Sequence, residues 1–331
     1  MQRVRSWSWA IYCGGVKVSF KSSSKKVRVS LVLGSGGALG LAHIGVIRWL
    51  EEHNYQIVSI SGSSIGALIG GIYAAGKLAA YEVWVRKLDK LDILSMLDFT
   101  LGNGGIVKGE KVIQSLIGMV GEVLIEDLPI KYTAVAADVF EEKEVWLQSG
   151  PLFDAIRASI AIPLFFTPHE VNGRKLVDGG VLNPVPIAPT LSDATDLTVA
   201  VNLMGKPQEE AAEHAQSSLI QGDSDLREAQ AEHDSGWALE QTLKRYLQAF
   251  QTSVAEKLMP NLGFYDLANR SFDTMQGTIA RLKLASYPPD VVIEIERNLC
   301  GMLEFDRANE MIPLGYQRAA KAMQGSRFDL K

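Results

Sequence analysis

The sequence predicts an α/β fold built on a mainly parallel sheet. Two stretches carry that prediction, because in each an apolar, β-branched run ends in a glycine-containing turn that opens directly into a helix pattern. A third observation agrees: 331 residues, 47% of them hydrophobic, are enough to bury a large core as one α/β domain with elaborations.

The first 27 residues stand apart from that pattern. Arg3 and Arg5 precede an apolar-leaning patch from Trp7 to Val16, and Lys17 to Lys26 is basic and Ser-rich. A signal peptide needs a longer apolar stretch and a small-x-small cleavage site, so the segment reads as a flexible extension. Its two tryptophans with basic flanks also suit peripheral contact with an anionic membrane surface. No stretch reaches the ~20 apolar residues needed to cross a bilayer. The expected location is cytoplasmic, with attachment at the membrane periphery as the alternative.

Val29-Ser30-Leu31-Val32-Leu33 reads as a buried strand, followed by Gly34-Ser35-Gly36-Gly37-Ala38-Leu39-Gly40. A helix is expected from about Leu41 to His53, with apolar spacing at Ile44, Ile47 and Leu50. Consecutive glycines at a helix N-terminus leave backbone N–H groups pointing into open space, where negative charge is favoured. Such a loop cradles either a phosphate or the oxyanion of an acyl-transfer intermediate. A dinucleotide site needs an acidic residue at the end of the second strand, and a P-loop needs Gly-Lys-Ser/Thr; neither is present.

The second strand, Ile57 to Ile60, runs instead into Gly62-Ser63-Ser64-Ile65-Gly66 and a small-residue helix from Ala67 to Ala75. A G-x-S-x-G sequence at a strand-to-helix junction is a nucleophile elbow, which raises one hydroxyl above the end of a buried sheet. That hydroxyl is Ser64. Gly62 and Gly66 have a steric reason, since the turn brings strand and helix too close for a Cβ. The oxyanion reading of the first loop gains weight from this neighbour.

Further along, Gly102-Asn103-Gly104-Gly105 reads as a flexible connector that also suits the border of an acyl channel, and Tyr132 to Ala137 as a buried strand with Asp138 at its end. Asn172-Gly173 is a tight-turn dipeptide between Pro168 to Val171 and Arg174 to Val177. The resulting hairpin delivers Asp178 into the turn Asp178-Gly179-Gly180, as an acid facing a cleft or as a cap on its own turn. Val199 to Leu203 reads as the last core strand. Lys206 to Ser235 then collects acidic residues, as a solvated helix or insertion does. Leu239, Leu243, Tyr246, Leu247, Phe250, Val254 and Leu258 share one helical face, read as core packing, with a lid as the functional version. Helices are expected from about Tyr265 to Leu284 and from Phe305 to Met323.

A net charge of −5 argues against nucleic acid as the main partner. Cys13 and Cys300 lie far apart without metal-site spacing, so neither a disulfide scaffold nor a zinc cluster is implied. Of the five histidines only His169, at the start of the hairpin, tempts as a triad member; its place on a strand fits a structural role better.

Taken together, the loop at 34–40, the elbow at 62–66, Ala158-Ser159-Ile160-Ala161-Ile162-Pro163 and Asp178-Gly179-Gly180 resemble the patatin-like phospholipase family in its bacterial branch. The resemblance covers roughly Val27 to Val201, with a weaker echo from Pro289 to Ala320. It implies a three-layer α/β/α patatin-like fold with a mainly parallel sheet and a helical C-terminal elaboration. It divides the chain into an extension (1–27), a catalytic core (28–204), an acidic insertion with its amphipathic helix (205–262) and a C-terminal helical part of the same domain (263–331).

For the site, the resemblance implies a metal-free and cofactor-free serine acyl hydrolase. Ser64 is the nucleophile, Asp178 the base of a dyad without histidine, and Gly36, Gly37 and Ala38 the oxyanion donors. Gly34, Gly40, Gly62, Gly66, Gly179 and Gly180 are the motif glycines. Two positions depart from the family: Ser35 stands where many bacterial members have Gly, and Leu39 where they have Arg or Lys. The second departure removes a cation from the binding of an anionic head group. The implied substrate is a fatty acyl ester, phospholipid or lysophospholipid first and neutral acylglycerol next. Acyl transfer to another alcohol uses the same residues; a catalytically idle lipid-binding protein is the alternative of another class, against which intact Ser64 and Asp178 argue.

Overall fold

The computed structural model describes residues 10–13, 16–19, 26–98, 107–207 and 262–324, with only the backbone described for those of 10–19 and for 262–269. The 102–105 loop, the acidic stretch beyond residue 207, the 239–258 helix and most of the N-terminal extension lie outside the described residues. Within that extension, β1 (Ala10–Cys13) and β2 (Val16–Ser19) pair antiparallel as a separate two-stranded sheet.

The core is an eight-stranded sheet flanked by helices. Its strands are β3 (Val27–Leu33), β4 (Tyr55–Ser63), β5 (Lys131–Asp138), β6 (Lys143–Leu147), β7 (His169–Val171), β8 (Arg174–Asp178), β9 (Leu197–Gly205) and β10 (Val291–Glu296). They lie in the order β10-β9-β3-β4-β5-β8-β7, with β6 also on β5. Pairings from β10 to β5 are parallel; those of β6, β7 and β8 are antiparallel. The parallel strands read as near-continuous apolar runs because both faces are covered. Val29, Leu31, Val32, Leu33, Val199 and Val201 are fully buried.

The helices are α1 (Ala42–Glu52), α2 (Ile65–Ala74), α3 (Leu78–Val85), α4 (Lys90–Ser95), α5 (Glu110–Val120), α6 (Leu152–Ser159), α7 (Leu262–Ser286) and α8 (Ala308–Gln324). The C-terminal part, expected to be helical, also carries a strand. Val291–Glu296 joins β9 in parallel, so β9 is an interior strand and not the last one. A six-residue apolar–acidic run after two prolines is too short for periodicity to separate from a helix segment. The third expected helix begins only at Ala308, after a 3₁₀ turn at Phe305–Arg307. There α8 crosses α1 at two glycines: a Cβ on Gly315 would overlap the Ala42 carbonyl, and one on Gly45 would overlap that of Ile312.

Candidate active site

The strand β4 ends at Ser63 and α2 begins at Ile65, leaving Ser64 alone in the turn with φ 56° and ψ −126°. Such angles are strained for any residue with a Cβ and persist only where surroundings over-determine them. Three contacts do so here. The Ser64 carbonyl accepts from the N–H groups of Ala67 (2.9 Å) and Leu68 (3.1 Å), and the Ser64 N–H donates to Ser159 Oγ at 3.0 Å. The Ser159 hydroxyl in turn donates to the Val135 carbonyl at 2.6 Å, tying the elbow to β5. A Cβ on Gly66 would strike the Leu33 carbonyl and one on Gly62 the Gly66 backbone, the close approach expected of both.

Asp178 reaches the same place through strand register. Along β5, Val135 pairs with Ser63 of β4, and the next residue, Ala136, pairs with Asp178 of β8. Because β6 also pairs with Ala136 and Ala137, on the opposite edge of β5, β8 takes up the edge where β4 leaves off. The tight turn beneath it is formed as expected, with Asn172 at φ 51° and Gly173 at φ 75°. Asp178 N–H donates to the Ala161 carbonyl at 2.9 Å, and Oδ1 accepts from Gly180 N–H at 2.7 Å. The acid is thus both turn cap and cleft residue. A Cβ on Gly179 would overlap the Val135 carbonyl, and one on Gly180 would overlap Gln276 and Ser35.

Burial pushes the Asp178 carboxyl up to about 7, opposed by the Ser64 side chain and the Gly180 N–H. The second carboxylate oxygen, Oδ2, is buried without a fully formed hydrogen bond, and the Ser64 hydroxyl acts on the group from hydrogen-bonding range.

The glycine-rich loop departs from expectation at one residue. Gly34 N–H donates to Val201 (3.1 Å), Ser35 N–H to Pro184 (2.8 Å) and Ala38 N–H to the Met302 carbonyl (2.9 Å). The donor of Ala38 is therefore committed to the C-terminal segment. Among the described residues the amides of Gly36 and Gly37 have no acceptor, and Gly37, at φ 57°, fits against Met302 where a Cβ would not. The amide of Ile65, first in α2, is a further donor beside Ser64, and the glycine pattern of the sequence does not mark it. Gly40 packs on the Ile65 side chain, joining loop to elbow.

Other titratable side chains near the sheet lie apart from Ser64 and Asp178. Asp138 Oδ1 accepts from the N–H groups of Phe140 and Glu141, both at 3.1 Å, capping the β5–β6 turn. His169 Nε2 lies 3.4 Å from Asp154 Oδ1. His43 is fully buried, with Nε2 2.9 Å from the Gly34 carbonyl, and burial lowers its pKa to about 4, so a neutral ring donates from Nε2 to hold the loop.

Ser64 lies where two cavities meet. One, of about 110 Å³, is apolar and lined by Ile65, Leu68, Trp84, Leu88, Leu116 and Phe166, among others. The other, of about 670 Å³, is lined by Ser35, Gly36, Asp178, Arg270, Asp273 and Arg297, among others. Gly37 borders both. Among the described residues no group of three or more His, Cys, Asp or Glu is arranged to hold a metal ion, and no helix is long and apolar enough to cross a membrane.

A strained serine over a parallel sheet, next to a buried acid and unpaired amides, is what acyl-transfer chemistry needs. The family description "Patatin-like phospholipase" matches residues 31–191. An uncharacterized NTE family protein of Mycobacterium tuberculosis (strain ATCC 25618 / H37Rv) is 40% identical over 339 residues, covering 92% of this chain and 94% of the relative. The lysophospholipase nte1 of Neurospora crassa is 30% identical over 179 residues, which cover 53% of this chain and 12% of the fungal protein. VipD from Legionella pneumophila superposes with a TM-score of 0.40 at 13% identity, over 97% of this chain and 71% of that one. The chain belongs to the patatin-like phospholipase family. It is a hydrolase of carboxylic esters.

Proposed function

We propose that the chain cleaves fatty acyl esters of phospholipids or lysophospholipids by way of an acyl-Ser64 intermediate, with Asp178 as the base. The observation that carries this reading is the position of Ser64 at the junction of an apolar cavity and a larger one that also holds charged side chains, since an acyl ester is apolar on one side of its carbonyl and carries its polar groups on the other. The smaller cavity takes the acyl chain and the larger one the alcohol with its head group.

The residues divide the work as follows. Ser64 Oγ attacks the ester carbonyl as its proton passes to Asp178, and the collapsing intermediate returns that proton to the departing alcohol. Water then attacks the acyl-serine, giving its proton to Asp178 as the fatty acid leaves and Ser64 regains its hydrogen. Negative charge on the carbonyl oxygen falls to the Gly36 and Gly37 amides, each donor being worth about 3 kcal/mol in the transition state. The N-terminus of α2 adds its partial positive charge at the attacking oxygen. A carboxyl raised by burial is a stronger base than one in water, which narrows the gap to the serine hydroxyl.

Fluorophosphonate labelling together with a lipid-panel assay tests this. We expect labelling at Ser64, release of free fatty acid from lysophospholipid, and loss of both in Ser64→Ala with the fold retained. Turnover near wild type in that variant would overturn the assignment.

A further inference from the structure

A second buried hydroxyl lines the larger cavity, that of Ser35, and acylation of Ser64 has no use for it. Its backbone is fixed where β3 ends: the Ser35 N–H donates to the Pro184 carbonyl at 2.8 Å, one residue after the Gly34 N–H donates to Val201. Its side chain is fixed from α7, where Gln276, itself only 3% exposed, donates from Nε2 to Ser35 Oγ at 3.2 Å. A hydroxyl has one hydrogen to give and two lone pairs to fill. The bond from Gln276 fills a lone pair, and among the described residues no acceptor takes the hydrogen. Buried hydroxyl hydrogens ordinarily find acceptors, so one left over on a cavity wall points to a partner that arrives with the reaction.

That hydrogen lies on the Asp178 side of the cavity. A Cβ on Gly180 would lie 2.6 Å from Ser35 Oγ and 3.0 Å from Asp178 Oδ1, so hydroxyl and carboxyl flank the same bare Cα, within the span of one bridging water. Both residues line the larger cavity and neither lines the apolar one, whereas Ser64 and Gly37 border both. With the acyl chain in the smaller cavity, the alcohol leaves and water enters on the side where Ser35 and Asp178 stand. A water attacking the acyl carbon turns one lone pair to that carbon and one hydrogen to the base, and its second lone pair calls for a donor. A carboxylate alone holds the water by one bond and lets it swing; a second bond fixes the line of attack.

We propose that the Ser35 hydroxyl positions the hydrolytic water by donating to its oxygen, so that Ser35 serves the breakdown of acyl-Ser64 and not its formation. This deepens the proposed function and rests on it. The water oxygen bonds to the acyl carbon as one of its protons passes to the Asp178 carboxylate. The intermediate then releases Ser64 Oγ, which takes that proton back as the fatty acid departs. Ser35 keeps its own hydrogen throughout, and Gln276 keeps the hydroxyl turned toward the cavity.

The test follows p-nitrophenyl butyrate turnover by the full chain and its Ser35→Ala and Ser35→Gly variants at saturating substrate, with acid quenching and intact-mass measurement of the fraction carrying an acyl group. Turnover divided by that fraction is the rate of acyl-serine breakdown. It should fall roughly 3- to 10-fold in both variants, the worth of one hydrogen bond. Fluorophosphonate labelling of Ser64, which consumes no water, should keep its wild-type rate. An unchanged breakdown rate in either folded variant overturns the role of Ser35. Labelling and breakdown that fall together overturn it as well, because they mark a residue that holds the whole site in shape. Wild type decides the reading beneath: acyl-Ser64 present with breakdown indifferent to Ser35 sinks only this inference, and wild type that neither labels nor accumulates acyl-Ser64 sinks the hydrolytic assignment.

Discussion

At the scale of single residues, Asp178 carries two opposing demands. In its proposed role as base it must be ionised, yet burial holds its carboxyl near 7 and favours the protonated form. The rate should therefore rise with pH through about 7 as the carboxylate appears, and a pH profile of kcat/KM checks it. Asp178→Asn should lose at least a hundredfold in rate. The same variant should gain stability in alkali. The folded-state pKa lies above the ordinary 3.8, so the folded protein binds the extra proton, and this group's stability is present below pH ~4 and lost as pH rises toward 7. Asparagine keeps an oxygen for the Gly180 N–H and never ionises. The variant should be more stable than wild type at pH 8, by at most about 4 kcal/mol, with the difference vanishing near pH 4, as read by thermal melting at the two pH values. A variant no more stable at pH 8 would mean that the carboxylate is solvated.

Residue types in Gly-x-Ser-x-Gly and Asp-Gly-Gly were legible because each imposes a local backbone shape that few sequences satisfy. Ser159 was visible only as part of a motif. Its task, a hydroxyl bridging the Ser64 amide and the Val135 carbonyl, is a meeting of three separate segments that no local pattern encodes. The engaged amide of Ala38 is similar, since its partner Met302 comes from the far end of the chain.

At the scale of elements, the strands leading into the site were plain in the sequence, being continuous apolar runs bounded by glycine turns. β10 and the helices α3 to α6 were not. A hydrophobic strand of six residues and helices of six to eleven give too few periods to read. The junction of α1 and α8 was equally silent, because it depends on two glycines whose partners are distant. Gly315→Ala should push the helices apart, with a loss of a few kcal/mol as for other overpacked contacts, read by urea denaturation. A variant as stable as wild type would show that the crossing relaxes without strain.

For the molecule as a whole, the C-terminal part is more than an elaboration. It supplies β10 to the sheet edge, Met302 to the glycine-rich loop, Gln276 to Ser35 and the arginines to the larger cavity. A chain ending at Pro288 should thus lose fluorophosphonate labelling even where the strands β3 to β9 remain folded by circular dichroism. Labelling at the wild-type rate would show that the loop holds its shape unaided.

The shared register on β5 has a further consequence. Since Val135 and Ala136 fix the neighbours of Ser63 and Asp178 in succession, the spacing of Ser64 and Asp178 is set by one peptide step of a buried strand and by no loop length. Segments joining β4 to β5 and β6 to β8 are thereby released to lengthen, shorten or reshape the walls of the apolar cavity, and a lineage can recast what fits there while Ser64 and Asp178 keep their alignment.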